Sequence, residues 1–248
     1  MSDSENCCAG SDPGAQIRTL YTELAQRPDQ DFGWGKGKDN ARQLSYADEW
    51  LDRLPDVVWE SAAAVGNPFS ISPIRSGETV VDLGCGAGAD VCIAALLVGD
   101  TGKVHGIDAT PAMAAKARSN ARAAGLGQVA IHEGDIGHID LPDAVADVVI
   151  SNGAINLSSD KSRVLKEAHR ILRPGGRLQI ADMIREPAGE VATVGADESW
   201  AGCVLGTLAP ECFIKILQEA GFYEVAMIRK TGYKTAPNTI GALFRALK

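Results

Sequence analysis

The sequence predicts an α/β domain built on a mostly parallel sheet with an antiparallel C-terminal edge and helices on both faces. Three observations support this. Short apolar, β-branched runs alternate with helical stretches from Ile74 onward, as a parallel sheet with crossover helices requires. The first run, Glu78 to Leu83, leads into a glycine-rich turn, Gly84-Cys-Gly-Ala-Gly88, that opens a helix. The second run, Lys103 to Ile107, ends in an acid, Asp108.

Taken in order, residues 1–14 read as a flexible arm. Ala15 to Gln26 places Ile17, Leu20, Tyr21 and Leu24 at helical spacing and predicts a short amphipathic helix. Arg27 to Lys38, rich in glycine and aromatics, reads as a loop. Ser45 is a candidate cap for a helix beginning near Ala47; Leu54-Pro55-Asp56 reads as a break, followed by a helical piece from Val57 to Ala64. The section 15–73 is expected to fold as a helical lid over a ligand cleft, with Trp34, Trp50 and Trp59 as candidate lid residues and ordinary helix packing the preferred role for the last two.

The core, 74–248, is expected to hold strand 79–83, helix 89–98, strand 103–107, helix 111–124 after Pro111, and strand 128–132. Strand 146–151, helix 160–172 and strand 176–182 follow, with Arg173-Pro-Gly-Gly176 as a helix stop and turn. Segment 188–207 reads as a substrate-covering insertion, and helix 210–220 with strands 222–230 and 240–247 completes the sheet.

Composition sets the class. At 248 residues and 45% hydrophobic content the chain suffices for one sizeable α/β domain with an appendage. Its net charge of −8 opposes nucleic-acid binding and fits a small-molecule substrate. No apolar run approaches bilayer length, so no membrane association is expected. The start, Met1-Ser-Asp-Ser-Glu-Asn, has neither a basic region nor an apolar one, and with six cysteines this points to a reducing cytoplasm. Cys85, Cys92 and Cys212 are expected to pack, and the sequence leaves monomer and homodimer equally open.

The glycine turn and Asp108 together form a nucleoside-binding pattern, because a carboxylate at the tip of the second strand can accept both ribose hydroxyls. Gly84, Gly86 and Gly88 are expected to bring backbone N–H groups close to the ligand. Asp82 stands two residues ahead of the first glycine. Its charge repels a pyrophosphate and attracts an ammonium group, which favours S-adenosylmethionine over a dinucleotide. Neither His132 nor His138 joins a cluster with metal-ligand spacing, so no metal is expected.

On Asp82–Gly88, Asp108, Glu133-Gly-Asp135-Ile136 and Arg173-Pro-Gly-Gly176, the chain resembles the class I S-adenosylmethionine-dependent methyltransferases. The resemblance implies a Rossmann-like seven-stranded methyltransferase sheet and S-adenosylmethionine as cofactor. It places Asp82, Gly84, Cys85, Gly86, Gly88, Asp108, Ala109, Asp135, Ile136 and Ser151 around that cofactor. In that reading Asp108 holds the ribose and Asp135 the adenine amino group, while Asp82 serves the methionine end indirectly or through water. Asn152, Asn156 and Cys203 are the candidate catalytic residues, the two asparagines with Ser151 offering neutral hydrogen bonds beside the methyl group.

A closer similarity is to the arsenite methyltransferase branch, carried by Gly66-Asn67-Pro68, Gly106–Met113, Ser151–Leu157 and Trp200–Gly206. That branch binds As(III) through three cysteine thiolates. Here Val65 and Gly153 stand at two of the matching positions and Cys203 at the third. One thiolate does not reproduce a three-sulfur site for a soft ion, unless Cys7 and Cys8 supply the others. Three readings are carried forward: a small-molecule methyltransferase working by in-line displacement in a desolvated cleft, a metalloid methyltransferase using Cys203 with Cys7 and Cys8, and a non-catalytic cofactor-binding module. A hydroxyl or amine acceptor calls for a base, and the sequence offers no His–Asp pair for it.

Overall fold

Thr79–Leu83 forms β1, buried along its whole length. In the computed structural model, which describes residues 13–186 and 206–248, β1 is an interior strand, third in order, of one seven-stranded sheet. The other strands are β2 (Lys103–Asp108), β3 (Val129–Glu133), β4 (Ala146–Asn152), β5 (Leu172–Arg185), β6 (Tyr223–Lys230) and β7 (Thr239–Leu247). Their order is β3-β2-β1-β4-β5-β7-β6. β1 to β5 pair in parallel, and β7 runs antiparallel to both β5 and β6. The antiparallel strand therefore sits one place in from the edge, and β6 closes it.

Helices cover both faces. On one, Val80, Val104, Val148 and Ile150 pack with α5 (Ala89–Val98), whose Val91 to Ala95 and Val98 are buried, and with Ala117 and Ala121 of α6 (Pro111–Ala123). Residues of α2 (Gly37–Gln43), α3 (Asp48–Arg53) and α4 (Asp56–Trp59) join this same core through Ala41, Leu51, Val58 and Trp59. On the other face, Val81, Leu83, Ile107 and Val149 meet α7 (Lys161–Ile171) and α8 (Pro210–Glu219). Asp160 caps α7 by accepting the Arg163 N–H at 2.9 Å. α1 (Pro13–Gln26) packs on α6, with Leu24 against Ala87 and Met113.

Several local expectations change. The first helix begins at Pro13, inside the segment read as an arm. Ser45 caps nothing: it has φ 62°, and its carbonyl accepts from Asn67 Nδ2 at 2.8 Å. The helical piece over 57–64 shrinks to α4 because tertiary partners take its backbone. Gly37 N donates to Ala62 O, Asn40 Nδ2 to Ala64 O, and Val65 N to Asn152 Oδ1. α2 begins at Gly37, just inside the end of the expected loop at Lys38. Arg173–Gly176 makes its turn inside β5, where the pairing jumps from Leu172 to Arg177. Cys212 is exposed on α8, whose Phe213 and Leu217 point inward instead. Residues 1–12 and 187–205, with Cys7, Cys8, Cys203 and most of the proposed insertion, lie outside the described residues.

Candidate active site

The strand order turns at β1, with β2 on one side and β4 on the other, and ligands of open α/β sheets bind beyond the strand tips at such a point. A cavity of about 500 Å³ opens there. Asp82, Gly84, Cys85 and Gly86 reach it from β1 and its loop, Asp108 and Ala109 from β2, Asp135 and Ile136 from the end of β3, and Asn152 and Gly153 from β4.

The glycines divide their work. Gly84 has φ +72°, and a Cβ there would stand 2.2 Å from Ala154 Cβ, so the loop passes against the β4 tip with no room for a side chain. Gly86 has φ +52° and a Cβ added to it meets nothing within 4 Å. Gly88 does not line the cavity: it precedes α5, and its Cβ position is 3.0 Å from Ala117 Cβ, so it serves packing onto α6. The expectation of free loop amides is also corrected. Gly84 N and Cys85 N donate to Ile107 O, Gly86 N to Asp108 Oδ2, and Gly88 N to Cys85 O. The loop is bound to β2 by its own N–H groups, which leaves it poorly equipped to cradle a phosphate.

Carboxylates dominate the electrostatics. Asp108 accepts Gly86 N on Oδ2 and Thr110 N on Oδ1, each at 2.8 Å. Burial raises its carboxyl above the ordinary range while those hydrogen bonds hold it down. Asp82 is 2% exposed; burial, Asp90 and Asp108 all push it well up. Asp90, in the first turn of α5, also lines the cavity. Burial pushes it up to about 6, opposed by hydrogen bonds from Asn152 and Tyr46. Burial likewise keeps the Cys85 thiol protonated by raising it well above its usual value. Three carboxylates converging on one cavity suit a ligand with positive charge.

The remaining predicted residues separate. Asp135 lies on the cavity, accepting Gly137 N at 2.8 Å, with Arg163 3.8 Å away. Asn152 lines the cavity, but its amide is committed to Val65 N, Tyr46 Oη, Gly66 O and Asp90 Oδ2. Ser151 and Asn156 are fully buried and do not line it. Ser151 Oγ donates to Leu83 O, and Asn156 Nδ2 donates to Asp182 Oδ1, so both hold the sheet tip together instead of facing a methyl group. Trp34 reaches the cavity with Ile17, Tyr21 and Leu24 of α1, whereas Trp50 and Trp59 pack around Tyr46. His132 pairs with His105 at 3.0 Å away from the cavity, and the described residues contain no cluster fit for a metal.

Val65 and Gly153 face one another on the cavity wall, a Cβ at Gly153 standing 3.4 Å from Val65 Cγ1. Sequence reasoning passed over Asp90, Tyr46, Arg163 and the cavity residues Tyr233 and Thr235. Only Asp90 carried a signal, as the single acid in an otherwise apolar helix.

The methyltransferase domain family matches residues 74–221. The arsenite methyltransferase of Halobacterium salinarum is 40% identical over 165 residues, 66% of this chain and 42% of that protein. The 27-O-demethylrifamycin SV methyltransferase of Amycolatopsis mediterranei is 30% identical over 200 residues, covering 75% of this chain and 72% of that one. The crystal structure of an arsenic(III) S-adenosylmethionine methyltransferase from Chlamydomonas reinhardtii superposes with a TM-score of 0.59 at 29% identity, covering 84% of this chain and 72% of the other. The chain spans about half the length of the arsenite methyltransferases it matches. With the switch-point cavity and its glycine loop, these matches establish that the chain belongs to the methyltransferase domain family, as a class I S-adenosylmethionine-dependent member resembling the arsenite methyltransferases.

Proposed function

We propose that this chain binds S-adenosylmethionine in the cavity at the tips of β1, β2 and β4 and methylates a small molecule there. The observation that carries the reading is the convergence of Asp82, Asp90 and Asp108 beside a glycine loop whose Gly84, Cys85, Gly86 and Gly88 amides are already bonded. A dinucleotide phosphate would meet negative charge and few donors; a ligand with an ammonium and a sulfonium meets complementary charge. The open space over Gly86 fits such a ligand lying against the loop. On this reading Asp108 and Ala109 hold the ribose, Asp135 and Ile136 the adenine, and Asp82 the ammonium end. The bound cofactor supplies a methyl group on an electron-poor sulfur. The chain's share is alignment and exclusion of water, with Tyr21, Leu24 and Trp34 acting as a lid from the N-terminal section. The net charge of −8 supports a small-molecule acceptor over a nucleic acid, and the six cysteines support a reducing compartment, the cytoplasm. Among the described residues no helix is long and apolar enough to cross a membrane.

Calorimetry with S-adenosylmethionine and NAD side by side tests the reading. Tight NAD binding with no response to the sulfonium compound would overturn it. Absence of turnover on every acceptor, with binding intact, would favour the non-catalytic module.

Arsenite is the second reading, favoured by the relatives named above. Against it, the facing positions Val65 and Gly153 carry no sulfur. Arsenite methylation by this chain then depends on Cys203 with Cys7 and Cys8, and the expected rate on arsenite is weak or nil.

A further inference from the structure

Resting on that reading of the cavity, we propose that Asp90 is the proton acceptor of the transfer and that the acceptor is a hydroxyl-bearing small molecule. Asp90 opens onto the cavity and is held from two sides. Tyr46 Oη donates to its Oδ1 at 2.8 Å, and Asn152 Nδ2 donates to its Oδ2 at 2.9 Å. Tyr46 Oη also lies 3.1 Å from Gly66 O and receives Asn152 Nδ2 at 3.0 Å.

This arrangement has room for one more proton. With Asp90 ionised, the Tyr46 hydroxyl donates to Oδ1. When Oδ1 takes a proton, that proton donates to Tyr46 Oη, and the tyrosine turns its own proton to Gly66 O. A carbonyl has two lone pairs, so Gly66 O serves Tyr46 and Asn152 Nδ2 together. No buried hydrogen bond is lost in either state, whereas an ordinary buried carboxyl would strand a donor on protonation.

Charge balances as well. The acceptor O–H bond breaks and its proton passes to the Asp90 carboxylate. The freed oxygen pair bonds the methyl carbon, and the C–S bond of a methyl sulfonium donor breaks with its electrons going to sulfur. A cation and a carboxylate become a neutral thioether and a neutral acid, which a buried cavity favours. A hydroxyl needs this help most, since a neutral hydroxyl is a weaker nucleophile than an amine or thiolate and its methylation without proton loss would leave an oxonium ion. The groups facing Asp90 are Tyr46 before α3, Asp82 on β1 and Cys92 on its own helix. With burial pushing it up to about 6, Asp90 is ionised at neutral pH and basic enough to accept a proton.

The test uses the full chain with S-adenosylhomocysteine and with catechol as the hydroxyl probe. Calorimetry should show wild type, Asp90→Asn and Tyr46→Phe all binding S-adenosylhomocysteine; no binding by wild type overturns the cavity reading and the proposal with it. Infrared difference spectra between about pH 5 and about pH 8 should show a carboxylic acid signal titrating near 6 in wild type that weakens in Asp90→Asn, the remainder coming from Asp182, which burial also pushes up to about 6. Binding with no weakening of that signal overturns the proposal and leaves the cavity reading standing. In transfer to catechol, Asp90→Asn should lower kcat about a hundredfold or more, a larger change than the rise in the KM for S-adenosylmethionine, and Asp90→Glu should recover part of the rate. Tyr46→Phe should move the acidic limb of the kcat–pH profile. Equal kcat in wild type and Asp90→Asn, or no transfer to catechol by wild type, overturns it.

Discussion

Two glycines of one loop should fail in opposite ways. Gly84→Ala puts a methyl group 2.2 Å from Ala154 Cβ on a backbone at φ +72°. The left-handed conformation costs an L residue about 1–2 kcal/mol, and forcing the β4 tip aside adds about 1–3 kcal/mol of overpacking. Together they remove about 2–5 kcal/mol, and at about 2–4 °C per kcal/mol for a chain of this size the midpoint falls by about 4–20 °C. Gly86→Leu carries the same backbone strain at φ +52°, but its Cβ meets no protein atom within 4 Å. It should melt only about 2–8 °C lower, stay folded, and lose S-adenosylmethionine binding because its side chain projects into the cavity. Circular dichroism melts and calorimetry with S-adenosylhomocysteine measure both. A Gly84→Ala protein as stable as wild type, or a Gly86→Leu protein with unchanged affinity, would refute the division of roles.

Other consequences follow from the same geometry. Asp108→Asn must turn an amide NH2 toward either the Gly86 or the Thr110 N–H, which disturbs the loop, and it removes the charge from the bonds proposed to the ribose. A lost charge-assisted bond to the ribose is worth about 1.5–3 kcal/mol, so S-adenosylmethionine should bind roughly tenfold to a hundredfold more weakly, and unchanged affinity by calorimetry would remove Asp108 from the site. Asp90 and Asp182 are each pushed by burial up to about 6, so the folded state holds their protons longer than the unfolded chain. Their stabilising contribution is therefore complete below about pH 4 and is lost as pH rises through about 6. The ligand-free midpoint should fall over that window, with a flatter profile in Asp90→Asn; a midpoint that rises throughout would contradict it. Cys203→Ser and a Cys7→Ser/Cys8→Ser double variant, assayed with wild type on arsenite, should all be weak or inactive, and strong wild-type turnover that Cys203→Ser abolishes would instead support the thiolate reading.

The sequence by itself determined the sheet and the glycine-loop side of the cavity. Apolar runs separated by helices specify parallel strands, and the residues that turn the chain at strand ends, such as Gly84, Gly86 and Asp108, sit next to the run that places them. That information is local, and it was legible.

The other half required tertiary structure because its contacts join distant segments. Asn152 meets Tyr46 across 106 positions and Val65 across 87, and no spacing rule links them. The same long-range bonds cut short the helix read over 57–64 and committed the Asn152 amide. Ser151 and Asn156 were chosen for neutral hydrogen-bonding groups beside the cleft, but side-chain direction at a strand tip depends on what lies behind it, here Leu83 O and Asp182. Asp90 reads in sequence as a favourable acid at a helix N-terminus. Only the approach of Tyr46 and Asn152 from elsewhere in the chain makes it a half-buried carboxylate facing the cavity, with a second place for its proton.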